Sequence, residues 1–99
     1  MARFDVYVRQ DLGGYLLDCQ SDLLTGLNSR LVAPLLAEAD APRPIARLNP
    51  RFALNGRRVI MVTQFAAAVA TRDLGDPIAS LSGKQDEIVA ALDMLITGF

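Results

Sequence analysis

Apolar and polar residues alternate strictly from Phe4 to Arg9, with Phe4, Val6 and Val8 on one face and Asp5, Tyr7 and Arg9 on the other. That period of two predicts a half-buried strand. Asp11-Leu12-Gly13-Gly14 supplies a turn, and Tyr15 to Gln20 reads as the returning strand of a hairpin, with Tyr15, Leu17 and Cys19 sharing a face. Ser21-Asp22 leads into Leu23-Leu24, and Thr25 to Ser29 is loop by composition; two leucines at a loop edge usually belong to a core. Arg30 to Leu36 is apolar on both faces and reads as a strand, although Pro34 inside it cannot donate to a ladder and so predicts a strand edge or bulge. Ala37 to Pro44 is a surface excursion, and Ile45 to Leu48 resumes apolar character. Arg51 to Leu54 and Arg58 to Val62 flank Asn55-Gly56, the residue pair that best suits a type I′ hairpin turn. Gln64 to Ala70 fits a short helical turn or an irregular strand equally well.

The pattern changes period after Ser82. Ile88, Ala91, Leu92, Leu95 and Phe99 fall on one side at 3.6 residues per turn, with Val89 and Ile96 widening the stripe. A helix from Gly83 to Ile96 follows, with Ser82 and Gln85 spaced as a capping box and Asp86 and Glu87 placed where the helix dipole favours negative charge. The stripe runs almost to the last residue, so the closing aromatic, Phe99, is either packed on the core or offered to another protein. Short strands separated by turns, then one helix, predict a small antiparallel barrel or sandwich closed by that helix.

The chain has 99 residues, a length for one domain, residues 1–99, with one modest core. Its hydrophobic content of 52% is high for a small monomer and predicts that some apolar surface lies between subunits. The net charge of −1 gives no reason to expect direct binding to nucleic acid. The basic residues between Arg43 and Arg58 read as a solvated surface or as a patch for an acidic partner. With one cysteine and no histidine, an internal disulfide and the ordinary Cys/His zinc sites are excluded, and Cys19 lacks a histidine to activate it. No cofactor or metal is expected. There is no phosphate loop, no paired carboxylate motif and no apolar run long enough for a membrane helix, so a cytoplasmic protein that makes contacts is expected.

Several segments, in order and at similar spacing, resemble the CcdB family, the toxin half of bacterial toxin–antitoxin pairs. They are Phe4-Asp5-Val6-Tyr7, Asp18 to Leu24, Arg30 to Leu35, Leu48-Asn49-Pro50, Met61 to Gln64, Ala79-Ser80-Leu81 and the helix up to Gly98-Phe99. The resemblance implies a mainly β fold, a small SH3-like antiparallel β-barrel with a C-terminal α-helix, assembled as a two-fold homodimer. It also implies a protein inhibitor rather than an enzyme, because CcdB toxins bind the DNA gyrase A subunit and trap the cleaved complex. A CcdA-like antitoxin with a disordered segment neutralises them. Carried over residue by residue, the gyrase contacts fall on Leu23, Leu24, Asp93, Ile96, Thr97, Gly98 and Phe99. One departure stands out: the family's best-known member has tryptophan third from its end, where this chain has Thr97. Antitoxin contacts are expected at Arg9, Asp11 and Gly14, and at Arg43 and Arg47 as a basic lip. Two alternatives remain open at the level of sequence: an RNA-cleaving toxin on the same barrel, as in MazF and Kid, and a diverged, non-toxic antitoxin-binding module.

Overall fold

The alternation at the N-terminus is realised as an antiparallel pair, β1 (Asp5–Val8) on β2 (Tyr15–Asp18), with Val6 opposite Leu17. The structure, a computed structural model, describes residues 2–10 and 13–98. β1 starts at Asp5 and not at Phe4, because Phe4 has φ +72°. A bulky residue in that region is strained, and it stays there because it is buried and held at both ends. Its N–H donates to the Asp18 carbonyl at 2.7 Å and its carbonyl accepts from the Leu81 N–H at 2.9 Å.

The long third strand, β3 (Ser29–Ala37), organises the sheet. One of its edges pairs with β2; the other takes two neighbours in succession. Ser29–Val32 pair with β6 (Ala67–Ala70), and Leu35–Ala37 pair with β5 (Arg57–Met61). Pro34 therefore sits mid-strand rather than at an edge or bulge. Its carbonyl accepts from the Val62 N–H at 2.9 Å. The missing N–H of Pro34 points to that same edge, where one neighbour gives way to the other, so no ladder bond is lost. β4 (Arg51–Leu54) joins β5 through Asn55 (φ 51°) and Gly56 (φ 81°), the type I′ turn expected. β7 (Ala79–Ser80) pairs with β1. The strand order β4-β5-β3-β2-β1-β7, with β6 also on β3, makes a nearly closed antiparallel barrel followed by one helix, the mainly β architecture expected. Gln64 to Ala70 takes both of its alternatives, since a 3₁₀ turn (Thr63–Phe65) precedes β6.

The helix, α1, spans Gln85–Thr97. No capping box forms. Ser82–Lys84 is a separate 3₁₀ turn, with the Lys84 N–H bonded to the Leu81 carbonyl at 2.9 Å, so Ser82 lies too early and Lys84 takes the cap position without a side-chain bond. Ile88, Ala91 and Leu92 pack onto the main core, which includes Val6, Leu17, Leu35, Phe52 and Met61. A second, smaller core lies on the other face of β1–β3, where Tyr7 and Val32 meet Leu74. Tyr7, read from alternation as facing outward, is fully buried because the Thr71–Leu74 turn covers it.

Candidate functional site

The apolar stripe of α1 is longer than the core it serves. Ile88, Ala91 and Leu92 are buried, but Leu95 is 42% and Ile96 76% exposed. Asp93, Ile96 and Thr97 share a face at i, i+3 and i+4, and all three are exposed together with Gly98. The Thr97 hydroxyl donates back to the Asp93 carbonyl at 2.7 Å, so its own helix uses its donor and the methyl is left as its apolar contribution to the surface. Gly98 ends the helix at φ +84°, its N–H donating to the Met94 carbonyl at 3.1 Å. That left-handed position is where a side chain would be strained. Phe99, expected to be the aromatic anchor of this surface, lies outside the described residues.

A second apolar surface lies on the loop between β2 and β3. Leu23 is 94% and Leu24 47% exposed, contrary to the core placement expected of adjacent leucines, and Leu27 is exposed as well. The loop is shaped by polar bonds. Ser21 Oγ accepts from the Leu23 N–H at 3.2 Å, opening a 3₁₀ turn over Asp22–Leu24, and Asp22 Oδ1 accepts from the Arg3 N–H at 2.7 Å. At its base Arg30 Nη2 meets Asp18 Oδ2 at 2.7 Å, both side chains buried. Burial pushes the Asp18 carboxyl up from its ordinary value, against the opposing pull of Arg30 and the Gln20 N–H.

The sites expected for antitoxin divide. Arg9 and Gly14 line a cavity of about 710 Å³ with Val8, Tyr15, Leu35, Val59 and Phe65, whereas Arg43 and Arg47 are exposed and do not line it. Asp11 lies outside the described residues. In place of the expected lip, the cavity has Arg57 and Arg58, with Asp40 as its acid. Both arginines belong to the basic run from Arg43 to Arg58, read from sequence as a solvated surface or a patch for an acidic partner, but the antitoxin contacts were expected at its other end, at Arg43 and Arg47. Gly14 is required here, since a Cβ would lie 2.8 Å from the Leu35 carbonyl oxygen and the residue has φ +78°. Arg51, in the same basic run, is held by Glu38 at 2.7 Å.

Cys19 is buried and its thiol is pushed up to about 12, chiefly by burial, so it stays protonated and unreactive near neutral pH. Among the described residues no cluster of three His, Cys, Asp or Glu side chains is arranged to hold a metal ion, and no helix is long and apolar enough to cross a membrane.

Comparison with known proteins agrees with this architecture. An endoribonuclease in complex with its cognate antitoxin, from Mycobacterial species, superposes with a TM-score of 0.73 over 95% of this chain and 92% of that one. At 14% identity the likeness is one of fold alone. No curated protein matches the sequence. The CcdB protein family model matches residues 3–98, nearly the whole length. With the barrel, the terminal helix and the ordered sequence segments in agreement, the chain belongs to the CcdB family of toxin–antitoxin toxins.

Proposed function

We propose that this protein is a toxin that binds the DNA gyrase A subunit and traps the gyrase–DNA cleavage complex, and that a CcdA-like antitoxin neutralises it. The observation that carries the reading is the overshoot of α1: its apolar stripe continues past the core into Leu95 and Ile96, which are exposed at the end of the chain. A small domain gains nothing for its own stability from an exposed isoleucine there, and exposed apolar residues grouped on one helix end mark a contact surface. Leu23 and Leu24 supply the same chemistry from the β2–β3 loop. As a two-fold dimer, the protein would present two such tails to one gyrase cavity. Ile96, and Phe99 beyond it, would take over the apolar contact that tryptophan makes at the position of Thr97. The arginines around the cavity at Arg9, Arg57 and Arg58 suit an acidic antitoxin segment with apolar anchors that seat on Val8, Val59 and Phe65.

A supercoiling and DNA-cleavage assay with gyrase from the source organism, titrated with the purified protein, tests the reading. Cleavage complexes that accumulate with the wild type, disappear on adding antitoxin and are absent with Ile96→Asp support it. Normal supercoiling in the presence of excess folded protein would overturn it. A second reading, RNA cleavage, is favoured by one observation: three arginines, Arg9, Arg57 and Arg58, border one cavity of about 710 Å³. It requires RNA cleavage without gyrase that persists in Ile96→Asp and is lost in Arg58→Ala.

A further inference from the structure

The loop joining β2 to β3, residues 21–28, has no buried residue, and three leucines on it face solvent. Such a loop has no packing to fix its shape, so polar bonds must do so. Beside the Ser21 and Asp22 bonds at its start, one side chain spans it. The Gln20 amide nitrogen donates to the Leu24 carbonyl at 3.3 Å and to the Ser29 carbonyl at 3.1 Å, while its amide oxygen accepts from the Leu31 N–H at 2.9 Å. A single planar group thus ties the middle of the loop to the start of β3. Gln20 is itself anchored from within. Its N–H donates to Asp18 Oδ1 at 3.0 Å and its carbonyl accepts from Arg30 Nη2 at 3.4 Å. Asp18 and Arg30 are the buried ion pair. The buried charges fix the backbone of Gln20, and its side chain carries that constraint out to the exposed leucines.

We propose that Gln20 is the positioning residue of the Leu23–Leu24 contact surface, holding the loop in its binding shape before the partner arrives. The assignment rests on the reading that Leu23 and Leu24 meet gyrase. Only an amide serves, because the three bonds require two donors and one acceptor on one plane. Methionine fills a similar volume without them. Glutamate keeps the acceptor for Leu31 but sets a carboxylate against the Leu24 and Ser29 carbonyls. Without the clamp the loop must be ordered at the moment of binding, which weakens affinity with no contact to the partner removed.

The test is a double-mutant cycle on binding to the purified gyrase A subunit, with thermal unfolding measured on every variant. Gln20→Met should stay folded and bind about tenfold more weakly, the scale of ordering a short loop. In a Leu23→Ala/Leu24→Ala background it should cause little further loss, because both side chains it positions are gone, whereas in an Ile96→Ala background its full loss should persist. Wild-type affinity in Gln20→Met, or a loss that simply adds to that of Leu23→Ala/Leu24→Ala, overturns the assignment alone. A wild type that does not bind gyrase A overturns the gyrase reading and the assignment with it. Gln20→Glu repeats the cycle should Gln20→Met unfold; unfolding of both would make Gln20 a residue of the fold and overturn its positioning role.

Discussion

Asp18 and Arg30 meet at 2.7 Å with side chains that are 0% and 1% exposed, so each charge depends on the other for compensation. Replacing one partner leaves the second buried and unneutralised. Asp18→Asn should therefore destabilise the protein by about 3–5 kcal/mol, measured by urea unfolding, while the joint replacement Asp18→Leu with Arg30→Met should recover most of that loss. Tyr7, on the same face, behaves differently. Its hydroxyl is buried and makes no hydrogen bond among the described residues. Burial chiefly, then Asp5 and Asp18, push its phenol above the ordinary 10.0, with Arg30 pulling the other way. The folded protein thus holds the Tyr7 proton more tightly than the unfolded chain does. Its contribution is fully present below pH 10 and is lost as pH rises through the folded value. Tyr7→Phe should change stability at neutral pH by less than about 1 kcal/mol and remove the Tyr7 share of the alkaline loss, checked by urea unfolding at pH 7 and above pH 10.

At the scale of elements, α1 divides into a buried part that holds the fold and an exposed last turn. Gly98, at φ +84°, ends that turn, and Gly98→Ala should cost about 1 kcal/mol, a fall of roughly 4–8 °C in melting temperature. α1 and the two hairpins were legible in the sequence because each depends on a period or a turn pair within a few residues. The exchange of β6 for β5 beside Pro34, the positive φ of Phe4 and the burial of Tyr7 under Leu74 were not legible, because each depends on a segment distant in the chain. The candidate site divides the same way. Ile96 follows from the helical stripe, but Leu23 and Leu24 took the family resemblance to identify, since composition alone assigns them to a core. Arg57 and Arg58 join Arg9 at the cavity only once β5 has paired with β3.

For the whole molecule, the net charge of −1 means that no overall field steers a partner, and local surfaces must do so. The exposed apolar residues, Leu23 and Leu24 on the β2–β3 loop and Leu95 and Ile96 on α1, share no residue with the lining of the arginine-bordered cavity. On the proposed function the first serves gyrase and the second the antitoxin, so single changes should separate the two activities. Ile96 is mostly exposed, so Ile96→Asp should leave stability within about 0.5 kcal/mol, yet weaken gyrase binding by roughly thirtyfold or more. Ile88→Ala, two turns earlier on the same helix, should instead cost about 2–5 kcal/mol of stability because it empties a core position. Reversing Arg57 and Arg58 to glutamate should weaken binding of an acidic antitoxin peptide by about tenfold and flatten its salt dependence, while gyrase binding stays near wild type. Calorimetric titrations of both partners against both surface variants, each at low and high salt, give the comparisons needed. If each variant lost both partners equally, the two surfaces would be one site, and the antitoxin would act by covering the apolar tail directly.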